Sequence, residues 1–113
     1  MHVRVAIFEG TVEAKDQPRF DAVVRDTVLP IIAGFPKIRS VRCLKIASVE
    51  DNGPPVYQIF ELLFDSAEDC NAALASPNRA QSRAALAEIM PLFKGRIYHL
   101  MTGATERKGG AFA

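Results

Sequence analysis

The chain has 113 residues, with 14 Lys and Arg against 13 Asp and Glu, and two cysteines. That length accommodates one domain with a sizeable core and no second one, and so balanced a charge gives no electrostatic reason to expect nucleic acid or an anionic membrane as a partner. No apolar run approaches the ~20 residues of a spanning helix, Met1-His2-Val3-Arg4 opens as a strand and not as a signal peptide, and the two cysteines are too few for a disulfide framework, so a soluble, reducing, cytoplasmic setting is expected.

Val3–Phe8 (VRVAIF) reads as a first strand, closed by Glu9-Gly10. Asp16-Gln17-Pro18 then starts a helix, and Phe20, Val23, Val24, Thr27, Val28, Ile31 and Ile32 fall on one stripe of it. Pro30 lies inside that stripe and predicts a kink or a stop near Asp26–Leu29. Ile38–Val49 is expected as a second strand, followed by a turn at Asp51-Asn52-Gly53.

Val56–Phe64 is a third strand, rich in aromatic and branched residues. Alternation puts Gln58, Phe60, Leu62 and Phe64 on one face, under the helices, and Tyr57, Ile59, Glu61 and Leu63 on the other. Asp65-Ser66 stops the strand, and Ser66 is placed to cap a helix that begins with Glu68 and Asp69 in its first turn. Ser76-Pro77 interrupts that helix, a second stretch runs from about Asn78 to Met90, and Arg96–Thr102 (RIYHLMT) is a fourth strand. Residues 1–104 thus form the domain, and the polar, Gly-rich segment 105–113 is expected to be a flexible tail.

The order βαββαβ is the ferredoxin-like arrangement, an α+β fold with a four-stranded antiparallel sheet and helices on one face. The face without helices is expected to carry Phe8, Tyr57, Ile59, Leu63 and Met101 among Arg4, Lys45, Glu61 and His99. A face that apolar predicts a homodimer formed sheet to sheet. A turn centred on Asn52 would set Cys43 opposite Glu61 and Lys45 opposite Ile59, with Lys45 diagonal to Tyr57 and Glu61.

Candidate chemistry is sparse. His99, Glu61 and Tyr57 are the catalytic candidates, since a strand imidazole, a carboxylate among apolar neighbours and a phenol could each handle a proton. Arg4 and Lys45 join them as candidate ligand-binding residues. Each has a plain structural reading too: an ion pair for Glu61, an interface ring for Tyr57, a hydrogen-bonded strand position for His99. Cys43 and Cys70 read as buried fillers, and Arg79, Arg83 and Lys94 as the solvated side of the second helical region. No Cys-x-x-Cys or His-x-x-x-His spacing suggests a metal, and Gly103, Gly109 and Gly110 form no phosphate-binding loop, so no metal or cofactor is expected.

The run YQIFELLFDSAEDCNAALASP, with Tyr57, Glu61, Leu63-Phe64-Asp65-Ser66 and the Ala72–Pro77 helix end, resembles the EthD-like family of the dimeric α/β barrel superfamily. A weaker likeness covers Phe20–Pro36, and the element order matches over nearly the whole chain. The resemblance implies a small dimeric bacterial protein tied to degradation or tailoring of small organic molecules. Cofactor-free monooxygenases and lactone isomerases are among the activities it implies, and a non-catalytic metabolite-binding or accessory module is the alternative. Relatives commonly carry His-x-Pro-Leu in the first helix; here the run is Val28-Leu29-Pro30-Ile31, so Val28 stands at the His position and chemistry that depends on that His is in doubt.

Overall fold

The computed structural model describes residues 1–110. Strands β1 (His2–Val12), β2 (Ser40–Lys45), β3 (Val56–Phe64) and β4 (Phe93–Gly103) form one antiparallel sheet in the order β2-β3-β1-β4. Helices α1 (Gln17–Val23), α2 (Leu29–Ala33), α3 (Ala67–Leu74) and α4 (Pro77–Ala87) follow in chain order. The α+β, ferredoxin-like expectation holds, with β3 at the expected bounds and Ser66 Oγ accepting from the Asp69 N–H at 3.1 Å as its cap. Residues 104–110 carry no regular structure, and the end of the expected tail, 111–113, lies outside the described residues.

Gln58, Phe60, Leu62 and Phe64 are all buried, on the helix face, as alternation requires. They meet Phe20, Val24, Val28 and Ile32, which form the buried stripe of the first helical segment. Phe8 lies at the centre of an aromatic cluster, 5.0 Å from Phe60, 5.7 Å from Phe93 and 6.5 Å from Phe20 between ring centroids. Phe8 is therefore core and not a residue of the open face.

Pro30 does not end the helix. A π-helical turn over Val24–Val28 joins α1 to α2, with the Leu29 N–H donating to the Val24 carbonyl. The wider turn absorbs the hydrogen bond that Pro30 cannot make, and the apolar stripe continues through it.

The β2–β3 register differs by one residue from the expected one. Arg42 faces Glu61, Cys43 faces Phe60, Leu44 faces Ile59 and Lys45 faces Gln58. The turn at Asp51-Asn52 is present, both residues in the left-handed region at φ 56° and 55°, but β2 stops at Lys45 and β3 begins only at Val56. Pro54 and Pro55 have no N–H to donate, so the ladder ends before the turn and the turn cannot fix the pairing. Lys45 and Cys43 consequently lie on the helix face.

A second irregularity re-aims Tyr57. Phe8 pairs with Gln58 and Glu9 with Val56, so Tyr57 is the extra residue of a β-bulge. The bulge turns its ring toward α1, 5.3 Å from Phe20 and edge-on to it. Along β4, Ala6 faces His99 and Arg4 faces Met101, which puts His99, Arg4 and Met101 on the helix face as well. The open face is built instead from Val3, Val5, Ile7, Ile59, Leu63, Leu44, Tyr98 and Leu100, with Glu61 and Glu9 paired to Arg42 and Arg96.

Candidate functional site

Beneath the helices the packing is incomplete. A cavity of about 300 Å³ lies between the sheet and helices α2 and α4, near the small end of ligand pockets (~300–1,000 Å³). Its walls are apolar: Phe8, Phe60 and Leu62 from the sheet, Val28 and Ile32 from the first helical segment, Leu86 from α4. Its polar groups are Arg4, His99, Ser82, Arg79 and Arg83.

Each of those side chains arrives for a local reason. Arg4 of β1 and His99 of β4 lie on the helix face, His99 directly opposite Ala6 and Arg4 two residues before it, where the small Ala6 leaves space above the sheet. Arg79 and Arg83 are one turn apart on α4, so both project the same way. Ser82 is buried and donates to the Arg79 carbonyl at 2.9 Å, a bond internal to the helix.

Among the described residues none of Arg4, Arg79 and Arg83 is paired with a carboxylate, whereas Arg25, Arg39, Arg42 and Arg96 all are. Arg4 Nη1 reaches only the Met101 sulfur, at 3.6 Å. Burial, and then the like charge of Arg79, hold the Arg4 guanidinium below its ordinary pKa. His99 is pulled down to about 4, chiefly by desolvation and then by Arg4, Arg79 and Arg83. At neutral pH its imidazole is uncharged, and so able to accept a proton from a neighbour.

The sequence-derived candidates divide among three places. Arg4 and His99 share the cavity. Tyr57 and Lys45 meet elsewhere, at Asp21 of α1: Tyr57 Oη donates to Asp21 Oδ1 at 2.7 Å, Lys45 Nζ donates to the same oxygen at 2.8 Å, and the ammonium sits 3.5 Å from the Tyr57 ring centroid. Burial, reinforced by the Asp21 carboxylate, raises the Tyr57 phenol above its usual range, so it stays protonated. This cluster ties α1 to β2 and β3. Glu61 is on the opposite face of the sheet, paired with Arg42.

Both thiols are pushed up by burial, in keeping with inert filler positions. No group of three or more His, Cys, Asp or Glu side chains that could hold a metal occurs among the described residues. Nor do they include a helix long and apolar enough to cross a membrane.

Arg79 and Arg83 were expected at the solvated surface; both border the cavity, Arg79 half-buried and Arg83 still exposed to solvent. A signal for this exists in the sequence. It is a weak one: two like charges at i, i+4 with no acid three or four residues to either side weaken an isolated helix, without indicating what they face.

No family model and no curated protein matches the chain by sequence. Solved structures do match it by shape. An EthD family protein from Bacillus halodurans superposes with a TM-score of 0.71 at 16% identity, covering 93% of this chain and 99% of that one. The fold is EthD-like. A proposed antibiotic biosynthesis monooxygenase from Nitrosomonas europaea (TM-score 0.64, 12% identity, 94% and 100% covered) and a dimeric ferredoxin-like protein of unknown function from Thermobifida fusca (0.61, 17%, 92% and 92%) share it. In this chain Val28, at the position where the resembling family carries His, is 1% exposed and forms part of the cavity wall. The imidazole in the cavity belongs to His99 of β4.

Proposed function

We propose that the chain binds a small organic molecule in the cavity between sheet and helices, acting as a homodimer joined through the open sheet face. The observation that carries the binding role is the cavity itself: apolar walls, with polar side chains from two strands and one helix converging on it. Dimerisation is supported by the apolar stripe on the other face, where Leu44 and Leu100 remain 36% and 45% exposed in the single chain. The dimeric, ferredoxin-like neighbour supports it as well. A solution mass of twice the 12.4 kDa chain is the expected result, and a monomer at micromolar concentration overturns it.

The catalytic version of this reading rests on His99. Of the three candidate catalytic residues only His99 reaches the cavity, and Tyr57 and Glu61 are engaged elsewhere. An uncharged imidazole facing guanidinium groups suits removal of a proton from an acidic C–H or O–H, because the anion left behind gains charge-assisted hydrogen bonds as it forms. Such a step fits the lactone isomerase and cofactor-free monooxygenase activities implied by the resemblance. The alternative, a metabolite-binding or accessory module without chemistry, needs only the cavity.

A thermal-shift series with lactones, quinones and phenols tests the proposal. A ligand that binds only the folded chain stabilises it by about 2.7 kcal/mol at one hundred times its Kd. At least one compound class is therefore expected to raise the melting temperature by several degrees. A flat response across the series counts against binding in either form. With a hit in hand, His99→Gln separates the two versions: turnover lost with the thermal shift retained marks an enzyme.

A further inference from the structure

The electrostatics of the cavity narrow its ligand further than shape does. Arg4, Arg79 and Arg83 enter one 300 Å³ space from β1 and α4, and no carboxylate on the described chain pairs with any of them. Elsewhere four arginines are paired with acids, Arg25 with Asp26, Arg39 with Asp65, Arg42 with Glu61 and Arg96 with Glu9, while the other two without an acid partner among the described residues, Arg19 and Arg107, are exposed surface residues. With 13 acidic residues available for 14 basic ones, the gap at the cavity is not a shortage of acids. It is local.

Holding guanidinium groups together with no counter-charge is unfavourable, and the half-burial of Arg4 and Arg79, though not of the exposed Arg83, adds to the cost. A bound anion would reverse both terms. The guanidinium plane suits carboxylate, phenolate or enolate oxygens, with paired N–H donors that also fix orientation. Apart from Ser82 and His99 the rest of the lining is apolar, with Phe8, Phe60, Leu62, Val28 and Ile32 offering nothing polar to a ligand.

We propose that the cavity selects an organic anion: a compact aromatic or aliphatic body resting on the Phe60–Leu62 wall, with a single acidic group held by Arg4, Arg79 and Arg83. This rests on the cavity being the ligand site and goes beyond it by naming the charge of the ligand. His99 then has a defined place. It lines the same cavity as the guanidinium groups without competing for the anion, because it carries no charge. An anion among the arginines also offsets their like charge, the lesser of the causes that keep His99 uncharged after desolvation, so binding raises the proton affinity of the imidazole.

The test uses an isosteric pair, 1-naphthoate and 1-naphthamide, which share size and shape and differ in charge. Isothermal titration calorimetry of the wild-type protein at 20 mM and 200 mM salt is expected to show the carboxylate binding at least tenfold tighter than the amide at low salt. That advantage should shrink at high salt as the charges are screened. In R79Q/R83Q, which keeps good helix formers on an accessible face of α4, the carboxylate should fall to the affinity of the amide, with the amide unchanged. Arg4→Gln is a second variant with the same expected direction, and unshifted melting of each variant certifies its fold. Equal affinity for the two compounds in the wild type overturns the charge assignment and leaves the cavity reading standing. A carboxylate preference that survives in both variants also overturns it, since the anion is then held somewhere else. Binding of neither compound overturns the anion proposal, and only the panel of lactones, quinones and phenols then speaks for the cavity.

Discussion

Gly95→Ala is expected to cost about 2–6 kcal/mol, a large share of the ~5–15 kcal/mol that keeps a small domain folded. Gly95 of β4 pairs with Gly10 of β1, and the strands approach so closely that a Cβ on Gly95 would lie 2.0 Å from the Glu9 carbonyl oxygen and 2.7 Å from the Gly10 Cα. Both contacts are with backbone, which cannot rotate away. The residue also sits at φ +154°, where side-chain-bearing residues are strained. Forcing a carbon into filled space costs ~1–3 kcal/mol and the backbone strain a similar amount. Gly10 is in the same position from the other side, with Lys94 O at 2.2 Å and the Phe93 ring edge at 2.8 Å from its would-be Cβ.

Gly103→Ala is the matched control. It sits at the end of the same strand with nothing within 4 Å of a Cβ, and its expected effect is within about 0.5 kcal/mol. Urea unfolding of the two variants decides the matter: a Gly95→Ala loss below 1 kcal/mol would mean that the two strands are not in this register. The register matters for function as well as stability. It puts His99 opposite Ala6 and Met101 opposite Arg4, and a slip of one residue would carry His99 out of the cavity onto the open sheet face.

The parts of the fold that could be read from sequence are those fixed by local chemistry. Ser66 had to cap, because Asp65-Ser66 follows a strand and acidic residues follow Ser66. Gln58, Phe60, Leu62 and Phe64 had to face inward together, because a strand alternates. For Tyr57 and Lys45, what escaped turned on two one-residue irregularities of the backbone. One extra residue at Tyr57 and one register step between β2 and β3 moved Tyr57 and Lys45 from the open face to Asp21, and left Glu61 to Arg42. Alternation is parity, and parity carries no memory of a bulge.

The candidate site was legible only in half. Arg4 and His99 stood out as polar residues inside strands, and both line the cavity, although they were assigned to the wrong face. Arg79 and Arg83 were passed over because charged residues on a helix are ordinarily solvated. Overall charge balance concealed them further: a chain of net charge +1 can still hold a cluster of one sign if its acids are committed elsewhere. Pairing between α4 and β1 depends on tertiary structure, and no spacing within either element announces it.

Phe20→Ala carries the second large effect, a loss of about 3–5 kcal/mol. Phe20 is fully buried and meets three other rings, Tyr57 at 5.3 Å, Phe93 at 6.3 Å and Phe8 at 6.5 Å. Truncation removes those contacts and leaves a void that the rigid sheet below cannot collapse to fill. At about 4 °C per kcal/mol for a domain of this size, the melting temperature should fall by roughly 12–20 °C. Tyr57→Phe, which keeps the ring and deletes only the hydroxyl bound to Asp21, should cost about 1 kcal/mol by comparison. Phe20 does not line the cavity that holds Arg4 and His99. Below its lowered melting temperature the Phe20→Ala protein should therefore bind cavity ligands with wild-type affinity. Calorimetric melting and ligand titration on the same preparation check both statements, and a stability loss under 1 kcal/mol would show that this ring cluster is not what holds α1 to the sheet. If stability falls but affinity falls with it, the helix and the cavity are one mechanical unit, and the incomplete packing beneath α2 and α4 is set by the packing around Phe20.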